Sequence, residues 1–210
     1  MALIAVHQTA IDLIKEFEGF VDHWYPDPAT GGEPWTCCYG HTSAAGFPKY
    51  QKGQKFTQAE GETILKHDLE AVSDAVFKAV TMPVNAYQFG ALVSLAFNIG
   101  MKNFRNSSLL KAVNAGDFKT AAAKFALYNR ANKKVMAGLT RRRAAEAELF
   151  MRPIGNPVKP ASPPPGSAKS PYGKPSSNSA AYIVAAALAG AALIAGWGVD
   201  AWNWLMGLFS

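Results

Sequence analysis

Cysteine is scarce in this 210-residue chain: the two present, Cys37 and Cys38, are adjacent. Adjacent thiols leave no spaced pair for a disulfide framework and none of the usual zinc spacings, so disulfide scaffolding is excluded and no metal or cofactor is expected. The first ten residues lack a basic region followed by an apolar stretch and a small-residue cleavage site, so no secretory signal peptide is predicted and synthesis in the cytoplasm is the expectation. Acidic residues are few after position 74. Residues 75–152 carry 3 Asp/Glu against 13 Lys/Arg, whereas residues 1–74 carry 11 against 5, so an acidic lobe precedes a basic one. A basic half attracts nucleic acid, an anionic membrane or an anionic wall polymer, and charge alone does not choose among them. With 49% hydrophobic and 17% charged residues, the chain is neither a disordered acidic tail nor a polytopic membrane protein.

What is present is enough for one domain of about 100 to 150 residues plus an appendage. Patterned sequence covers 1–152. Beyond it, Pro153, Pro157, Pro160, Pro163, Pro164, Pro165, Pro171 and Pro175 fall among Ser, Gly and Lys, a composition that favours an extended spacer, so 153–179 reads as a linker. From Ala180 to Val199 no residue is charged, and 20 residues at about 1.5 Å each span roughly the hydrocarbon thickness of a bilayer. The segment 180–210 is expected to be a transmembrane or membrane-associated helix. Trp202 and Trp204 follow as interfacial aromatics, and Ala192 with Gly196 forms a small-xxx-small pair.

Within the main domain, Thr9-Ala10-Ile11-Asp12 resembles a capping box, and Ile11, Ile14 and Phe17 share a helical face, predicting a helix to about Gly19. Pro26, Pro28, Gly31, Gly32 and Pro34 break the next stretch, and Trp35 to His41 reads as a short strand-rich segment turning at Gly40. Thr57-Gln58-Ala59-Glu60 heads a helix of over five turns closed by Pro83, and Asn85 caps another that ends near Gly100. Ala121 to Tyr128 and Arg141 to Phe150 are expected to be helical too. The class is α+β, mostly helical.

The residues expected to carry chemistry are Glu18, Asp27 and Thr36. Glu18 falls at a helix C-terminus, where unpaired carbonyls oppose ionisation, beside Phe17 and Phe20, which reduce solvation. Both effects keep a carboxyl protonated, as a general acid must be to protonate a glycosidic oxygen. Asp27, in a polar loop rich in Pro and Gly, is expected to stay ionised. Two carboxyls with affinities for the proton pushed apart are the working parts of a glycosidase.

Glu18-Gly19-Phe20, then Tyr25-Pro26-Asp27-Pro28, then Trp35-Thr36-Cys37-Cys38-Tyr39-Gly40-His41-Thr42 resembles the Glu, Asp, Thr signature of phage-type lysozymes, glycoside hydrolase family 24. Phe89 to Gly100 is similar to that family's core helix, and Leu109 to Phe118 with Gly138 to Arg143 and Glu146 to its C-terminal part, so the resemblance covers about residues 7–151. It implies a two-lobed lysozyme-like domain with a small β-containing N-terminal lobe. It also implies hydrolysis of the β-1,4 bond between N-acetylmuramic acid and N-acetylglucosamine, with peptidoglycan glycan strands rather than nucleic acid as partner. Glu18 would be the proton donor, Asp27 would stabilise positive charge or activate water, and Thr36 would hold that water. Two departures stand out. The family usually has an aliphatic residue and Gly where this chain has Cys37 and Cys38, and a positive φ there would strain a cysteine. The stretch from Asp27 to Thr36 is longer than in the shortest members, leaving Asp22 as the reserve acid.

Each residue also has a plainer reading. Glu18 alone is an exposed helix-end carboxylate, Asp27 a turn residue before proline, and Thr36 a strand threonine. Buried thiols and a structural His41 are expected rather than a metal site. Arg141, Arg142 and Arg143 cannot all face one way, so at least one faces solvent while another pairs with Glu18 or a nearby acid. Tyr39, Phe97 and Asn98 line either a sugar cleft or the core. Ser108-Leu109-Leu110-Lys111 matches the S-x-x-K of penicillin-recognising enzymes by chance, since the companion Lys-Thr-Gly is absent. Two other functions compete with the muramidase: a lytic transglycosylase, which needs no carboxylate-activated water, and an inactive membrane-tethered wall-binding protein. For the tail, Lys159, Lys169 and Lys174 on one side against Asp200 on the other predict a cytoplasmic domain docked on a lipid bilayer. Access to the wall would then need a holin or membrane damage, or a place in the virion.

Overall fold

The computed structural model of the protein describes residues 6–27, 31–131 and 133–153. Except for Pro153, the linker expected over 153–179 and the membrane helix expected over 180–210 lie outside the described residues. No helix among the described residues is long and apolar enough to cross a membrane. The chain divides into two compact units, one containing Lys15–Asp68 and the other residues 6–14 and 69–153.

Helix α1 (Gln8–Glu18) opens the chain. Its start differs from the expected capping box, because Thr9 lies inside the first turn. His7 does the capping: its carbonyl accepts from Ala10 N–H at 2.9 Å and its Nδ1 from Thr9 N–H at 3.2 Å. The unit of Lys15–Asp68 holds an antiparallel sheet of β1 (Val21–Asp27), β2 (Gly32–Cys38) and β3 (His41–Thr42) in that order. Strand β1 was not legible, since Pro26 and two register irregularities obscure any alternation. Pairing sets Tyr25 opposite Thr36, Asp27 opposite Gly32, and Cys37 opposite His41. A core of Trp24, Cys37, Cys38, Phe56 and Ile64 fills the space beneath the sheet, with Phe20, Trp35 and Tyr50 packed against it. Trp24 meets Phe56 edge to face at 5.7 Å, and Trp35 stacks on Tyr50 at 4.2 Å. Such ring pairs contribute about 0.5–1.5 kcal/mol each beyond burial.

Helix α2 (Gln58–Ala79) begins where Thr57-Gln58-Ala59-Glu60 was expected to head it, with a capping box. Thr57 Oγ1 accepts from Glu60 N–H at 3.2 Å, and Glu60 accepts from Thr57 N–H at 2.8 Å. The second unit is helical: α3 (Ala86–Ile99), α4 (Met101–Arg105), α5 (Ser108–Asn114), α6 (Phe118–Lys124) and α7 (Ala137–Met151), with a small hairpin of β4 (Arg130–Ala131) and β5 (Lys134–Val135). Asn85 caps α3 through a full capping box with Gln88, and Ser107 and Asp117 cap α5 and α6 by accepting from Leu110 and Thr120 N–H. α3 is buried along most of its length, from Phe89 to Asn98. Phe104, Phe125 and Phe150 in the same unit are fully buried as well. The expected helix over Ala121 to Tyr128 is α6 continued by a 3-10 turn at Phe125–Tyr128.

Candidate active site

Glu18 is the last residue of α1. The chain leaves the helix through Gly19, whose φ of +69° is a conformation that costs glycine little, with its N–H bonded to the Lys15 carbonyl at 3.0 Å. The buried stripe of the helix runs Ile11, Ile14, Glu18, at the i, i+3, i+7 spacing of one face, with Phe17 only half-buried. A carboxyl at the end of an apolar stripe is thereby taken out of water, and Glu18 is 3% exposed.

Asp27 closes β1 and Thr36 lies in the middle of β2, 4% exposed. Tyr25, opposite Thr36 in the sheet, ties the three expected residues together. Burial pushes its phenol up to about 12, and the negative charges of Glu18 and Asp27 act in the same direction, while its hydrogen bond with Thr36 acts against them. Glu18, Asp27 and Thr36 therefore all act on one phenol within a single unit of the fold. Tyr25 was not singled out in the sequence, although it stands in the same Tyr-Pro-Asp-Pro stretch that carries Asp27. The reserve acid Asp22 is engaged elsewhere: hydrogen bonds from His23 at 2.6 Å and Lys55 at 2.9 Å hold its carboxyl below the usual range.

The two cysteines are free and buried, as expected, and burial pushes the Cys37 thiol up, away from thiolate chemistry. Cys38 has φ +56°, the positive value that the glycine of the resembling family would meet without strain. His41 is structural: its Nδ1 donates to Asp68 at 2.8 Å, both side chains being buried. Burial alone would raise the Asp68 carboxyl, but His41 and then His67 outweigh it and hold the group low. No group of three or more His, Cys, Asp or Glu suited to a metal occurs among the described residues.

The three consecutive arginines separate as helical geometry demands. Arg141 is exposed, while Arg142 and Arg143 are buried in the helical unit on Glu146, at 3.1 and 2.9 Å. Ser94 Oγ donates to Glu146 at 2.7 Å and Arg143 donates to Asn98 Oδ1 at 3.0 Å, which closes the network. Glu146 is thus one nearby acid with which these arginines pair. Tyr39, Phe97 and Asn98 are 5%, 2% and 4% exposed, each buried within its own unit.

This α+β arrangement, mostly helical with a small β-containing unit, is the lysozyme-like fold. The phage lysozyme family model matches residues 15–146, and the chain belongs to that family. The endolysin of Bacillus phage PZA is 40% identical over 145 residues, 69% of this chain and 54% of the relative, so the chain spans about half the length of that protein. The endolysin of Acyrthosiphon pisum secondary endosymbiont phage 1 is 34% identical over 69% of this chain and 97% of its own length. The solved muramidase domain of SpmX from Asticaccaulis excentricus is similar with a TM-score of 0.62 and 34% identity, covering 70% of this chain and 98% of that domain.

Proposed function

We propose that the protein is a muramidase that hydrolyses the β-1,4 bond between N-acetylmuramic acid and N-acetylglucosamine in peptidoglycan and so lyses the host cell. The observation that supports this reading is that Glu18 and Asp27 act electrostatically on Tyr25, which is hydrogen-bonded to Thr36 and opposite it in the sheet. Glu18, shielded from water at the end of α1, holds its proton until the glycosidic oxygen takes it as the bond to C1 breaks. Asp27 accepts a proton from a water held by the Thr36 hydroxyl, and that water attacks C1 from the opposite face, which inverts the anomeric centre. Tyr25, protonated throughout the neutral range, fixes the Thr36 hydroxyl through their shared hydrogen bond. Supporting the reading from outside the site are the family itself and a relative whose solved domain is named a muramidase.

The apolar tail is read as a tether that holds the enzyme at a lipid bilayer until a holin or membrane damage gives access to the wall. Its support is the uncharged run of 180–199.

The products of purified peptidoglycan test the chemistry. A new reducing end for each bond cut is expected from hydrolysis, whereas 1,6-anhydro ends would assign the protein to the transglycosylases. Absence of any cleavage would leave the wall-binding reading.

A further inference from the structure

A cavity of about 600 Å³ opens in the β-containing unit, lined among others by Glu33, Pro34, Ser43, Gly46, Lys49 and Tyr50. None of these belongs to the cluster around Tyr25, yet the two are linked by a strand. Glu33 and Pro34 lie on β2 just before Thr36, and at about 3.3 Å per residue Pro34 stands roughly 7 Å along the strand from it. The other wall is tied to this strand in two ways. Ser43 Oγ accepts from the Trp35 N–H at 2.9 Å, and the Trp35 ring stacks on Tyr50 with their planes 14° apart. The cavity is therefore formed before any ligand enters, and its size is that of an ordinary small-ligand site.

Its chemistry is mixed. Lys49 is exposed and, among the described residues, has no hydrogen-bond or ion-pair partner, so the cavity presents a cation that an incoming anion would neutralise. Glu33 supplies the opposite sign, suited to amide or ammonium N–H groups. Pro34 and the Tyr50 ring offer apolar surface between them. A neutral sugar ring uses neither charge, whereas a short peptide with a free carboxylate uses all of these features.

We propose that this cavity binds the peptide branch of peptidoglycan, with a free carboxylate on Lys49, N–H groups toward Glu33, and aliphatic atoms against Pro34 and Tyr50. The proposal rests on the muramidase reading for its substrate, and it adds a peptide subsite that selects stem-bearing glycan next to the reacting bond. The same carboxylate chemistry is offered by the lactyl group of muramic acid once the peptide is removed, so the test separates the two.

Wild type, Lys49→Glu and Lys49→Arg of the full chain are compared on intact peptidoglycan and on the same polymer stripped of peptides by an amidase. Initial rates of reducing-end formation are read against substrate concentration. For Lys49→Glu the ratio of KM on intact to KM on stripped polymer should rise roughly tenfold, kcat should hold, and Lys49→Arg should return most of the loss. An unchanged ratio, whether both KM values rise together or neither moves, would overturn the peptide assignment. Titration of the protein with the free peptides released by the amidase gives a readout independent of turnover. Amide shifts confined to the Tyr50, Lys49 and Ser43 region are expected, and none would overturn the proposal even for an active enzyme. Failure of the wild type to cleave either polymer, with those shifts present, would instead count against the muramidase reading alone.

Discussion

Cys38 holds a left-handed backbone at φ +56° while its side chain is buried in the aromatic core of the β-containing unit. A non-glycine residue pays about 1–3 kcal/mol for such a conformation, and a β-branched one pays more. Cys38→Val should therefore lower unfolding free energy by about 2 kcal/mol or more, while Cys38→Gly trades lost burial against relieved strain and should change it far less. Denaturant titration of both variants checks this, and equal losses would remove strain from the explanation. A second residue-scale effect sits at Asp68. Its carboxyl is held below the ordinary range in the folded state by His41 and His67, so its contribution is complete above about pH 4 and is lost as pH falls through the lower folded value. Asp68→Asn replaces the charge-assisted bond to the buried His41 by a neutral one and should cost about 1–3 kcal/mol at neutral pH, with a shallower acid limb of stability than wild type. At the other extreme, the Tyr25 phenol is raised to about 12, so folding loses support as pH rises from about 10, where the unfolded phenol ionises, through that value. Tyr25→Phe should flatten that alkaline limb.

At the scale of elements, the start of α1 and α3 approach each other closely in the helical unit. A Cβ placed on Gly90 would lie 2.5 Å from the Cβ of Ala10, too near for either backbone to remain where it is. Gly90→Ala should destabilise by about 1–3 kcal/mol, and Ala10→Gly in the same chain should return part of the loss, a coupling that a double-mutant cycle measures directly. Elements with chemical start signals were legible in the sequence: Thr57 with Glu60, and Asn85 with Gln88, mark the true beginnings of α2 and α3 because a side chain there satisfies N–H groups that the helix cannot. α1 was legible in extent but not in its cap, since an imidazole at His7 replaces the usual hydroxyl or carboxylate. β1 and the short α4 were hidden, the strand by Pro26 and irregular register, the helix by having only five residues over which to display a period. At the site, Glu18, Asp27 and Thr36 were named from the order of motifs. Tyr25 was not, because only strand pairing brings it opposite Thr36.

For the whole molecule, the net charge of +6 conceals an acidic first third and a basic remainder, a distribution compatible with the proposed action at anionic wall and membrane surfaces. If the tail tethers the enzyme, the full chain should sediment with membranes when expressed, and a version ending at Pro153 should remain in the supernatant while still cleaving peptidoglycan. Full-length protein in the soluble fraction would dismiss the tether without touching the chemistry. The proposed chemistry rests on Glu18. Digestion of purified peptidoglycan by wild type and Glu18→Gln, at matched thermal stability, measures that dependence directly. The account predicts a loss of reducing-end formation on the order of 10²- to 10⁴-fold, as expected for removal of a general acid. Undiminished cleavage by Glu18→Gln would contradict it.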